Sequence, residues 1–237
     1  MPTYIYAITR VDHPLNLDGL QGVGDPPSEL RTVTTKDLAA VVSQAPSDLR
    51  AKRRDLLAHQ GVLERLMTDG AALPMRFGLL GPDDDSVLAV LEEQRDPYRE
   101  RLEELRGCLE YNLKVARDEQ DLLHEILTDS DEVRGLNEHT RDHPEAQDEK
   151  VALGELIMQE VQQRESTEAA LVVDRLAPAA LRTAPADPTT SHFLNVSFLV
   201  TRESAAVLSQ AVHEEAERHG DAYTFTLNGP LPPYSFV

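Results

Sequence analysis

Tryptophan is missing from this chain, aromatic residues make up only 5% of it, and it has a single cysteine, Cys108. A lone cysteine excludes an intramolecular disulfide and a thiolate metal cage. Cys108 lies in a strand-like run, where a small buried apolar side chain is expected. No apolar run reaches the ~18 residues of a membrane span. The opening Met1-Pro2-Thr3-Tyr4-Ile5-Tyr6 has neither the charged region nor the apolar core of a secretory signal, so a soluble, cytoplasmic protein is expected. Positive charge is scarce as well: 23 Lys and Arg face 42 Asp and Glu, a net charge of −19. Nucleic acid and anionic membranes both need a positive face, so neither is an expected partner. The run Lys52-Arg53-Arg54 is expected on the wet side of a helix.

Signatures of chemistry are also lacking. No phosphate-binding GxxxxGK[ST] occurs, and Gly19, Gly22 and Gly24 do not have dinucleotide-fingerprint spacing. Ser86, Ser197 and Ser204 have no nucleophile-elbow context. His139 and His143 have helical ligand spacing but fall in a polar stretch. His213-Glu214-Glu215 lacks the second histidine of a zincin, because Glu217 stands there. The expectation is therefore no metal, no cofactor, no small-molecule substrate and no catalytic residue. A cleft around His59 and Arg76, serving a small-molecule or enzymatic role, is the alternative.

What is present suffices for two modest cores, since 237 residues carry 41% apolar content and domains run about 100–150 residues. Alternation predicts strands at 4–8, 30–34 and 38–43, the last two forming a hairpin. A helix over 48–68 places Leu56, His59, Leu63 and Leu66 on one stripe, flanked by Val62 and Met67. Asp83 to Ser86 offer N-caps for the next helix, and Pro97 interrupts it. Beyond Arg106-Gly107, a strand with Leu109, Tyr111, Leu113 and Val115 leads to a short helix at 119–127. Residues 128–149 are acidic and almost free of apolar side chains, an exposed and mobile insertion. A helix over 151–176, a linker over 177–191, a strand around 194–200, a helix over 203–219 stopped by Gly220, and a strand over 223–227 complete the series.

These elements predict an α+β protein of two domains, 1–106 and 107–228. The C-terminal one is a ferredoxin-like two-layer sandwich carrying the acidic insertion. An extended C-terminal tail, 229–237, follows. There Gly229, Pro230, Pro232 and Pro233 forbid a helix, while Leu231, Tyr234 and Phe236 supply apolar surface. The stretch is either a structural clamp or a docking strip for a partner. Arg76, set among Pro74, Phe77 and Gly78, is expected to be half-buried and ion-paired, fixing a backbone corner.

Several stretches together resemble the GvpL/GvpF family of gas-vesicle synthesis proteins. They are Tyr4-Ile5-Tyr6-Ala7-Ile8, Leu38-Ala39-Ala40-Val41-Val42-Ser43, and His59 with Val62-Leu63. With them go Leu73-Pro74-Met75-Arg76-Phe77-Gly78, Glu110 with Leu113-Lys114-Val115, and Gly229-Pro230-Leu231-Pro232-Pro233-Tyr234-Ser235-Phe236. The match spans the chain in order; its one departure is Leu231, where an aromatic residue is expected. The resemblance implies a non-enzymatic accessory protein, associated in the cytoplasm with gas vesicles. It also implies contact with the hydrophobic major shell protein and other vesicle accessory proteins. The role would be chaperone-like or nucleating, or that of a minor vesicle component.

Overall fold

The computed structural model describes residues 1–237. Helices and two antiparallel-paired sheets divide between two compact units, Met1–Glu110 with Pro230–Val237, and Tyr111–Gly229.

In the first unit, β1 (Thr3–Arg10) pairs antiparallel with β3 (Leu38–Gln44), which pairs with β2 (Arg31–Thr34). After α1 (Arg53–Asp69), β4 (Ala72–Pro74) and β5 (Leu80–Gly81) both join β1, giving the order β2-β3-β1-β4. The hairpin turn forms as expected, with Thr35 Oγ1 accepting the Leu38 N–H at 3.1 Å. β3 is buried from Leu38 to Ser43 without alternation, because both faces of this central strand are covered. Tyr4, Tyr6 and Val41 pack against Val62, Leu63 and Leu66 of α1. Each such side chain, fully buried, contributes about 1.5–3 kcal/mol.

α1 turns its inward face differently from the expected stripe. Asp55, His59, Val62, Leu63 and Leu66 are buried, whereas Leu56 is 41% exposed. Asp55 takes the inward place because its Oδ1 accepts the Gly24 N–H at 2.9 Å. α2 (Asp84–Glu93) is capped by Asp83, whose carboxylate accepts the Ser86 N–H. α3 (Arg95–Glu104) begins before Pro97, which sits in the first helical turn, where no backbone donor is needed.

The second unit is built on β6 (Cys108–Arg117), α4 (Glu119–Asp129), α5 (Asp131–Asp142), α6 (Gln147–Leu176), β7 (Arg182–Pro185), β8 (Leu194–Thr201), α7 (Ala205–His219) and β9 (Tyr223–Leu231). Its sheet runs β7-β8-β6-β9. Gly220 ends α7 with φ +69°, the positive value expected of a terminator.

Three expectations need correction here. Residues 128–149 are not an irregular insertion: α5 forms there, capped by the Ser130 hydroxyl. Its buried Val133 seats it against Leu122 and Ile126 of α4, and Thr140 is buried as well. The linker 177–191 contains β7, an edge strand whose Pro185 needs no ladder partner on its outer side. The stretch 229–237 is not a separate tail. β9 continues through Pro230 to Leu231, and Pro230–Val237 belongs to the first unit.

Candidate functional site

Two regions collect the singled-out residues and the unexplained surface. The first is the corner after α1. His59 Nε2 lies 3.0 Å from the Met75 carbonyl and Nδ1 lies 2.9 Å from the Tyr4 hydroxyl. A carbonyl only accepts, so Nε2 carries the proton and Nδ1 accepts from Tyr4. The Tyr4 oxygen in turn accepts the Gly78 N–H at 3.2 Å. His59 also stacks on Tyr6, with ring centroids 5.5 Å apart, and meets the edge of Phe77. Burial holds the imidazole below its ordinary pKa and pushes the Tyr4 phenol up. A neutral ring with both nitrogens engaged has no proton to give or lone pair to offer.

Pro74 is buried in β4. Gly78 has φ +89°, a conformation that favours glycine and that aims its N–H at Tyr4. Arg76 departs from expectation: it is exposed, and no carboxylate pairs with it. His59 is buried and Arg76 is outside, so they do not share the solvent cleft of the alternative reading. The corner is fixed through the Met75 carbonyl and the Gly78 N–H instead.

The closing stretch packs onto this same unit. Pro232, Pro233 and Phe236 are buried, Phe236 at 3% exposure, and Tyr234 packs against the Tyr4–Leu63 core. Burial pushes the Tyr234 phenol up to about 12. The Ser235 N–H and hydroxyl both donate to Glu110, at 2.9 and 2.7 Å. Glu110 is 4% exposed, although strand alternation reads it as an outward residue. Of the three residues expected to face a partner, Phe236 is buried in its own core, while Leu231 and Tyr234 are half-buried. Within the second unit Gly229 lies against Tyr111: a Cβ there would be 2.4 Å from the ring.

The second region was not legible in the sequence. It is a groove of about 1000 Å³ in the second unit, lined by α4, α6, Arg117 and the turn 188–193. Its apolar lining includes Leu122, Leu123, Ile157, Val161 and Met158, the last 73% exposed. Helical geometry puts Glu155, Met158, Gln162 and Glu165 on one stripe of α6. Arg117, whose side chain is 9% exposed, is already engaged. It pairs with Asp121 at 2.8 Å and with Glu125, and its guanidinium lies over the Tyr223 ring at 5.1 Å. Burial raises the Glu165 carboxyl above its ordinary pKa, with Arg117 offsetting part of the rise. Arg164 ties α6 to α4 through Glu125 and Asp129.

α6 owes its position to few residues. Of its 30 residues only Val172 and Leu176 are buried, while Val151, Met158 and Leu171 are 61%, 73% and 43% exposed. Near its end, Glu215 of α7 accepts from Arg175 at 2.8 Å, from His219 at 3.0 Å and from Arg218. Burial alone would raise the Glu215 carboxyl; the Arg175 and His219 hydrogen bonds hold it lower than an ordinary carboxylate.

No helix is long and apolar enough to cross a membrane, and no cluster of three potential metal ligands occurs. A family model described as gas vesicle synthesis protein GvpL/GvpF matches residues 2–237. The chain is 45% identical over 240 residues to gas vesicle protein F of Streptomyces sp. (strain CB03234), with 100% of both chains covered. It is 25% identical to gas vesicle protein F of Dolichospermum flosaquae, covering 100% of this chain and 98% of the other. The crystal structure of gas vesicle protein GvpF from Microcystis aeruginosa superposes with a TM-score of 0.79 at 26% identity, covering 99% of this chain and 98% of that one.

Proposed function

The chain belongs to the GvpL/GvpF family of gas vesicle synthesis proteins and has a role in gas vesicle formation; from that premise we propose that it acts without catalysis, by binding the hydrophobic major shell protein during assembly. The observation that carries this reading is the contrast on α6. Large apolar side chains lie uncovered on a body of net charge −19. Apolar segments of high strand propensity self-pair when left exposed. An acidic partner that covers them keeps each complex apart from the next by charge repulsion. The role is chaperone-like or nucleating, with residence as a minor vesicle component compatible with it. Other vesicle accessory proteins are further partners, and the place of action is the cytoplasm at the forming vesicle.

The order β7-β8-β6-β9, with α4–α6 connecting β6 to β7 and α7 connecting β8 to β9, supports a ferredoxin-like reading of the second unit.

Solubility of the shell protein tests the proposal. Refolded by dilution with this chain in excess, it stays in the supernatant after centrifugation and co-elutes on gel filtration. Equal precipitation with and without the chain would overturn the reading.

A further inference from the structure

We infer that the groove of the second unit receives one amphipathic helix of a partner protein, apolar along one face and carrying lysine or arginine along its edge. Shape, polarity and charge each narrow the occupant. One wall is α6, of which Glu155 to Glu165 line the groove over about three helical turns, roughly 15 Å. Its floor is apolar, with Leu123, Ile157 and Val161 partly open and Met158 standing at the rim. Methionine is a side chain that adapts to the surface laid on it. An apolar floor running beside a helix is the arrangement that takes the apolar face of another helix.

The charge on the rim selects the sign of the partner. Glu119, Glu155 and Glu165 line the groove, and Arg117, the one arginine or lysine among the lining residues, is held by Asp121 and Glu125. Glu165 is half-buried, and Arg117, committed to Asp121 and Glu125, offsets only part of that burial, so Glu165 gains from any ammonium or guanidinium that arrives. A second copy of this chain is a poor occupant, since each brings a net charge of −19. An acidic or purely apolar segment would bury Glu165 further without a counter-charge of its own.

The inference rests on the proposed binding role and names the surface and the chemistry that serve it. Two synthetic peptides of about 18 residues test it, each long enough for ~5 helical turns. One is an amphipathic leucine–lysine helix; in the other every lysine is glutamate. Their binding to the full chain is read by fluorescence anisotropy. The lysine peptide is expected to bind, more weakly as salt rises, and the glutamate peptide at least about tenfold more weakly. Met158→Asp and Glu165→Lys are each expected to lose at least about tenfold in affinity for the lysine peptide. Val207→Asp, an exposed change on α7 outside the groove lining, is expected to bind like the unchanged chain. Equal binding of the two peptides, absence of binding, or unchanged affinity in both groove variants would overturn the inference. So would self-association of the chain that Met158→Asp abolishes. A cell expressing the Met158→Asp chain separates the two claims. Normal vesicles there, with peptide binding lost, end the groove inference and leave the accessory role standing; normal vesicles with the whole chain absent end the accessory role.

Discussion

Polar side chains in the first unit turn inward and are matched; apolar side chains on the helical layer of the second unit turn outward and are not. Tyr4, Tyr6, Asp55, His59 and Glu110 are all nearly or fully buried, and each finds a hydrogen-bond partner within its own unit. Such a network is costly to leave half-satisfied and specifies one arrangement when complete. On α6, Val151, Met158 and Leu171 face water over a helix that buries only two of its residues. The lesson is a division of labour: the first unit spends its chemistry on fixing its own shape, while the second keeps surface in reserve.

That contrast can be broken from the first unit outward. Phe236→Ala is expected to remove about 3–5 kcal/mol of stability, the range for a buried phenylalanine, read as a lower denaturant midpoint. An unchanged midpoint would mean that the closing stretch is not a clamp. His59→Phe comes next, at about 2–3 kcal/mol, because the Tyr4 hydroxyl and the Met75 carbonyl each lose a buried partner. It also carries a pH signature. The folded state holds His59 neutral below its ordinary pKa of 6.5, so the unfolded chain takes up a proton first as pH falls. Stability therefore declines from about pH 6.5 downward, and that slope disappears in His59→Phe.

In the second unit the expected losses are smaller. Glu215→Ala should cost about 1–2 kcal/mol, discounted because Arg175 and Arg218 are 44% and 54% exposed. Its carboxyl is held low in the folded state, so its contribution is present at neutral pH and lost as acid titrates it. Urea melts at pH 7 and pH 4 should differ less in the variant than in the unchanged chain. Met158→Asp sits last, within about 0.5 kcal/mol of the unchanged chain, as for most exposed positions. A large destabilisation there would show that the α6 face is already covered in the isolated protein, and the contrast would collapse.

Local patterns carried much of the first unit. Alternation located β1, β2 and β3, the Asp83 cap was visible as a run of capping residues, and His59 stood on the correct stripe of α1. What local reading missed depends on partners far along the chain. Asp55 takes the inward place expected of Leu56 because of Gly24, and Glu110 turns inward because of Ser235, 125 positions away. α5 was hidden by having too few apolar residues for a period to emerge, although Ser130 was a readable cap. The groove was hidden for a further reason. Its walls come from three separated stretches, and the exposed Met158 looks in sequence like any other member of a helical repeat.

The closing turn has a bearing on manufacture. A ribosome emits β1 and α1 first, yet the unit they belong to stays unfinished until Pro230–Val237 emerges, after the whole of the other unit has been made. A prematurely terminated polypeptide therefore leaves Glu110 without its serine and an open face over Tyr4, a lesion that quality-control proteases can recognise. Closure of this early-made core therefore waits until the intervening unit has been synthesised.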